Sequence, residues 1–218
     1  MNLQEYNEFI SGLTHELRVE LPGKIAHVRL APEIRRNDIS LGDFPDHALE
    51  SAVLIIIYLK RNSLKTAVIL RNEYDGAHSG QISLPGGKRE PVDPDFEHTA
   101  LRETHEEIGL ESTQLQIIGK LSKFYVKPSN FIIYPFIAKA LQHPVFKPDN
   151  VEVRKVIEID LLKDLSYSKI VTKVLKFKNG IEIEAPGWMV GNQFMWGATA
   201  MIFGEFVSIL ERVVLPAK

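Results

Sequence analysis

Between Gly86 and Leu110 the chain reads G-G-K-R-E-P-V-D-P-D-F-E-H-T-A-L-R-E-T-H-E-E-I-G-L. Its centre packs Arg102, Glu103, Glu106 and Glu107 into six residues of a segment with helical boundaries. Asp93-Pro94 offers an N-cap followed by a proline at the first helical position, where its missing N–H costs nothing. Gly109 supplies the stop. Between them Ala100, Leu101, Thr104 and Ile108 recur at helical spacing and form a narrow apolar stripe. At roughly 100° per residue, Glu103, Glu106 and Glu107 share an arc of about 100° beside that stripe. Glu103 and Glu107 are like charges at i, i+4, which costs a few tenths of a kcal/mol unless a cation sits among them. The pattern points to a divalent cation held by oxygen ligands, Mg²⁺ or Mn²⁺.

A bare E-x-x-E-E also describes many solvated helix faces, because glutamate is mostly exposed. The company of the three glutamates decides against that reading here: a Gly-Gly turn upstream, Arg102 before the first glutamate, and a glycine closing the helix.

With these residues the segment resembles the Nudix box: a glycine, five residues, an acid, a spacer, then R-E-(apolar)-x-E-E-x-G-(apolar). The second half matches at Arg102, Glu103, Glu106, Glu107, Gly109 and Leu110, with Thr104 at the position usually apolar. Counted from Gly87, the acid is Asp93, and eight residues separate it from Arg102. That Asp and one-residue insertion resemble the coenzyme A pyrophosphatase branch of the Nudix hydrolases. The run Leu70-Arg71-Asn72, then His78-Ser79-Gly80-Gln81-Ile82-Ser83-Leu84-Pro85-Gly86-Gly87, is similar to the branch signature. Three positions depart from it: Asn72 stands where serine is common, Gly76 where arginine is expected, and Leu84 where phenylalanine is usual. The absent arginine matters most, because a guanidinium fork suits phosphate recognition.

Glu103 and Glu107, one helical turn apart, are the principal metal ligands on this reading, with Glu106 a third, direct or through water. The resemblance adds a backbone carbonyl of the Gly86-Gly87 turn, assigned to Gly87. Arg102 leans back towards the helix N-terminus, where Asp93 can accept it, and so has an orienting role. Among the catalytic residues, Glu103 and Glu106 from the box and Glu152 from the Asn150-Val151-Glu152-Val153 stretch are candidates for the proton-transfer work, Glu152 being equally well read as a solvent-facing strand residue. Arg71 and His78 are the candidate substrate-binding residues, although His78 fits a loop-packing role as well.

The seven histidines contain no H-x-x-x-H or H-x-H pair, and His105 occupies a variable, exposed box position, so zinc is not indicated. Zero cysteines exclude disulfides and thiol catalysis. A net charge of −2 gives no reason to expect nucleic acid or an anionic membrane as partner. The longest apolar run, Val53 to Leu59, is too short to span a bilayer. The first twenty residues are acidic and amphipathic rather than a signal peptide, which makes the cytoplasm the default expectation.

Residues 2–18 carry Leu3, Tyr6, Ile10, Leu13 and Leu17 at helical spacing, followed by a loop-rich stretch to residue 48. Residues 1–48 therefore read as a helical extension packed on the main domain, or as an element of a homodimer. Residues 49–218 form the main domain. Strands are expected at Ala52–Leu59, Ala67–Leu70 and Ile82–Leu84, and in the apolar segments at 114–125, 130–140 and 151–159. A short helix near 160–165, a hairpin at Lys178-Asn179-Gly180 and a helix over 197–213 complete the reading. Strands interleaved with helices predict an α+β fold, a mixed β-sheet in an α/β/α sandwich, and the resemblance, which spans about residues 50–213, implies the same. It further implies metal-dependent hydrolysis of a pyrophosphate bond in a small-molecule nucleotide, coenzyme A or acyl-CoA giving 3′,5′-ADP and 4′-phosphopantetheine. A Nudix specificity for ADP-ribose or another nucleotide is the alternative, and a catalytically silent nucleotide-binding module the rival of another class.

Overall fold

The computed structural model describes residues 1–39, 44–73, 79–177 and 180–214. The elements run α1 (Leu3–Glu16), α2 (Lys24–Leu30), β1 (Leu49–Lys60), β2 (Ser63–Arg71), β3 (Ile82–Ser83), β4 (Gly86–Lys88), α3 (Phe96–Ile108), β5 (Leu115–Lys120), β6 (Phe124–Val126), β7 (Phe131–Ala140), β8 (Val153–Asp160), α4 (Leu161–Asp164), β9 (Val171–Lys176), β10 (Glu182–Val190), β11 (Gln193–Trp196) and α5 (Gly197–Val214).

The apolar run Ala52–Tyr58 explains the layering. In a strand successive side chains face opposite sides, so a run that is apolar at every position needs cover on both. Leu54, Ile56 and Tyr58 pack with Ala100 and Ile108 of α3. Ile55 and Ile57 join a second core with Tyr6 and Leu13 of α1 and Phe203 and Phe206 of α5. The main sheet is mixed: β1 pairs parallel with β7 and antiparallel with β2 and β4, while β8 and β3 flank β2. A two-residue turn at Arg61–Asn62, both with positive φ (49° and 62°), joins β1 to β2 and matches their twist. This is the expected mixed sheet between helices. Among the described residues, no helix is long and apolar enough to cross a membrane.

Three parts differ from the sequence reading. The stretch after Gly23, read as loop, contains α2, whose Ala26, His27 and Leu30 are buried. It is short and pattern-poor, and α5 supplies its stability by packing against it. The helix of the glutamates begins at Phe96, with Asp95 as N-cap accepting from the His98 N–H (2.9 Å). Asp93 is unavailable for capping because its carboxylate is engaged elsewhere. Thirdly, the C-terminal hairpin belongs to a separate three-stranded sheet, β11-β10-β9; Lys178 and Asn179 of its turn lie outside the described residues. Of the N-terminal stripe, Tyr6, Ile10, Leu13 and Leu17 are buried in the chain's own core and Leu3 is exposed.

Between α2 and α5 lies a polar cluster centred on the fully buried His27 and Glu205. His27 Nε2 is 2.9 Å from Glu205 Oε2, and Glu205 also accepts from the Ser122 hydroxyl (2.6 Å) and the Gly23 and Ser122 amides (3.0 and 3.1 Å). These bonds hold the Glu205 carboxyl below its ordinary range despite burial. Removing one member of such a cluster strands the others. Glu205→Leu should therefore lower unfolding free energy by about 3–5 kcal/mol in urea denaturation; a loss below about 1 kcal/mol would show that the cluster carries no weight.

Candidate active site

Gly86 and Gly87 set the spacing of the site. Gly86 has φ 146°, and a Cβ there would lie 2.3 Å from the Ala52 carbonyl oxygen and 2.6 Å from Val53 Cα. A Cβ on Gly87 would lie 2.4 Å from Glu103 Oε2. With neither side chain present, β4 pairs with β1 and α3 lies directly over it. The Gly86 N–H then donates to Glu107 Oε2 at 2.9 Å.

Glu107 is only 4% exposed, and burial pushes its carboxyl up to about 7; the Gly86 amide and Arg71 pull the other way, while Glu103 and Glu152 add like charge. Burial likewise raises Glu103, against the pull of Arg102 at 3.0 Å. Arg71 reaches both Glu107 (3.4 Å) and Glu152 (3.8 Å). Glu106 stands apart from this pair, 54% exposed and bound to Arg102 Nη1 at 2.9 Å.

Arg102 reaches back to Asp93, the acceptor named from the sequence. Its Nε and Nη2 form a fork on the two oxygens of Asp93 (2.9 and 3.0 Å), and Nη2 also donates to the Lys88 carbonyl (3.1 Å). Asp93 accepts further from Thr99 Oγ1 and the Glu90 amide, and the Arg102 guanidinium first among these holds its carboxyl far below the usual range. Thr104, at the usually apolar position, is buried with its hydroxyl on the Ala100 carbonyl (2.7 Å). His105 is exposed, beside Glu111.

Glu152 sits on the turn before β8 rather than on a strand. Asn72 fixes that turn: its amide donates to the carbonyls of Asn150 (2.7 Å) and Val151 (2.9 Å), and its N–H to that of Glu152 (3.0 Å). Asp149 N–H in turn donates to the Glu107 carbonyl (3.0 Å). Sequence reading noted Asn72 only as a departure from serine, although an asparagine beside a strand end is a signal for backbone pairing. His78 lies outside the described residues.

Gly86, Gly87, Glu103, Glu107, Arg71 and Glu152 line one cavity of about 640 Å³, whose other walls are largely apolar, including Val53, Phe131, Ile133, Trp196 and Ile202. Ser83 Oγ and Arg71 Nε, on residues of its wall, are buried without a partner among the described residues. Two buried or half-buried carboxylates facing a glycine backbone form a hard oxygen donor set, which fits a divalent cation. Among the described residues, no three acidic or histidine side chains stand together as a complete metal cage. A Mg²⁺ ion can be held by one or two carboxylates, with water and substrate phosphate oxygens filling the remainder.

The NUDIX domain family model matches residues 48–173. The chain belongs to the Nudix family. It is accordingly a hydrolase of pyrophosphate bonds, and Nudix hydrolases generally use divalent metals. The chain is 33% identical over 155 residues to the mitochondrial coenzyme A diphosphatase NUDT8 of Mus musculus, covering 70% of this chain and 73% of that protein. It is 29% identical over 161 residues to an uncharacterized Nudix hydrolase of Yersinia enterocolitica, covering 74% and 81%. A MutT/nudix family protein from Enterococcus faecalis aligns in structure at a TM-score of 0.49 and 17% identity, covering 79% of this chain and 65% of that one.

The raised Glu107 carboxyl has a thermodynamic consequence in this Nudix protein. Between its ordinary 4.5 and about 7 the folded state binds more protons than the unfolded one, so metal-free stability falls as pH rises through that window. The full cost, about 3 kcal/mol at most, is present above pH 7 and absent below 4.5. Glu107→Gln in EDTA should therefore gain stability relative to wild type between pH 5 and pH 8, read from paired thermal melts. A difference independent of pH would count against an uncompensated carboxylate.

Proposed function

We propose that this chain hydrolyses the diphosphate of coenzyme A or an acyl derivative to 3′,5′-ADP and the 4′-phosphopantetheine product, using Mg²⁺ or Mn²⁺. The observation that carries the reaction is the meeting of Glu103 and Glu107 over the Gly86–Gly87 backbone in a large cavity. Three things support the coenzyme A choice: the sequence runs Leu70-Arg71-Asn72 and His78 to Gly87, the Asp93 spacing, and the coenzyme A diphosphatase among the relatives. The apolar wall suits the uncharged pantetheine arm.

Glu103, Glu107 and the Gly87 carbonyl would hold the cation, with Glu106 reaching it through water. Once bound, the cation supplies charge neutralisation at the diphosphate oxygens and acidifies water for attack. The chain's own groups do the rest. Arg102 ties Glu106 to Asp93 and to the Lys88 carbonyl next to Gly87, so helix and turn keep their spacing. Arg71 holds Glu107 and Glu152 on either side of one guanidinium. Glu152, wetter than Glu107 and on the cavity wall, is suited to accept the proton of an attacking water.

Glu103→Gln and Glu107→Gln should each lower kcat by orders of magnitude while leaving the circular dichroism spectrum unchanged. Glu152→Gln should cost about 10²–10⁴-fold. The deciding assay follows products from coenzyme A, ADP-ribose and a nucleoside triphosphate with either metal. Release of 3′,5′-ADP from coenzyme A, lost in Glu107→Gln, is the expected result. Turnover of ADP-ribose alone would overturn the substrate and keep the mechanism, and tight nucleotide binding without any product would favour a silent module.

A further inference from the structure

Among the described residues, three cationic side chains line the cavity: Arg71, Lys88 and Arg35. Arg71 is engaged by Glu107 and Glu152. Lys88 is exposed and follows Gly87 in β4, at the carboxylate end. Arg35 differs from both. It comes from the 3-10 turn Glu33–Asp38, ahead of the residues that the NUDIX family model matches. It is half-buried where its neighbours Ile34 and Arg36 are exposed, and no acidic side chain among the described residues pairs with it.

Its place in the cavity can be fixed from a second, smaller cavity of about 50 Å³ that adjoins the first. Arg35, Val126, Pro128, Gly197 and Ala198 line both, whereas Glu103, Glu107, Glu152 and Arg71 line only the larger one. Arg35 therefore stands at the end remote from the carboxylates. The turn that carries it is anchored by buried Ala31 on one side and buried Ile39 on the other, with the Arg35 N–H on the Pro32 carbonyl (2.8 Å). A guanidinium held beside apolar walls with no counter-charge among the described residues is a poor arrangement for stability and a good one for an incoming anion. Its planar fork suits phosphate oxygens.

We propose that Arg35 binds a second phosphate of the substrate, a monoester on the nucleotide half and remote from the scissile diphosphate. The inference rests on the nucleotide-diphosphate reading of this cavity. It assigns to the N-terminal segment a part of the site that the Nudix box does not contain. It also gives the chain a phosphate-recognising arginine, from a different segment, where the signature position is occupied by Gly76.

The test is a pair of ligands that differ in that phosphate. Full-length wild type, Arg35→Ala and Arg35→Lys are titrated with adenosine 3′,5′-bisphosphate and with AMP by calorimetry, and assayed with coenzyme A and dephospho-coenzyme A. Wild type is expected to prefer the bisphosphate. Arg35→Ala should weaken that ligand about tenfold or more and raise KM for coenzyme A with little change in kcat, leaving AMP and dephospho-coenzyme A unaffected. Arg35→Lys should fall between. Equal loss for both members of each pair, or no change in either, would overturn the assignment; a merely structural residue would not move the ratio. Failure of the coenzyme A reading registers separately, as wild type that leaves coenzyme A intact while the bisphosphate titration still reports on Arg35.

Discussion

Glu107 is a carboxylate almost wholly removed from water, and the amide that receives it belongs to a strand that has no side chain at that point. Both halves of this contact depend on glycine. Any Cβ at Gly86 would strike β1, and any Cβ at Gly87 would strike Glu103. The helix can therefore lie on β4 at a distance that brings two carboxylates to a backbone turn, and the surrounding architecture serves to hold that distance. Strand β1 pairs with β4 along one edge and buries α3 against one face, so turn and helix are referred to the same strand. Site precision here comes from a shared reference rather than from local rigidity.

Around that contact the charges are sorted into two groups. Arg102 gathers Asp93, Glu103 and Glu106. Arg71 gathers Glu107 and Glu152 on the cavity side. Each guanidinium holds acids from separate segments, so the arginines act as fasteners between secondary structures as well as counter-ions. The acids outnumber them, and Glu103 and Glu107 have carboxyl groups raised chiefly by burial, whereas Arg102 keeps the buried Asp93 low. A site left short of positive charge in this way is electrostatically ready for a cation.

Much of this was legible in the residues. The alternation-free run in β1 announced a strand covered on both faces, and the glutamate-rich segment announced a helix. The partnership of Arg102 with Asp93 followed from the backward lean of helical side chains. The error in the cap had the same origin: two aspartates flank Pro94, and only the tertiary claim of Arg102 on Asp93 makes Asp95 the cap. What could not be read was long-range. The pairing of His27 with Glu205 joins residues 178 apart in sequence, and α2 is a helix mainly because α5 is there to cover it. The turn that carries Glu152 is placed by Asn72 and by the end of α3, neither of which announces this locally. Arg35 enters the cavity from a segment that no motif marks. Glu106 shares the helical arc of the other glutamates, but half an arc separates a cavity wall from solvent.

The two-faced burial of β1 also constrains how the chain can vary over evolutionary time. Moving its register by one residue would exchange Leu54, Ile56 and Tyr58 with Ile55 and Ile57, sending each set into a core shaped for the other. It would also displace β4 and β7, which read their registers from β1. Substitutions within β1 have many tolerable forms, whereas a single inserted or deleted residue has almost none. Length changes in this lineage should accordingly collect in the connections and spare this strand.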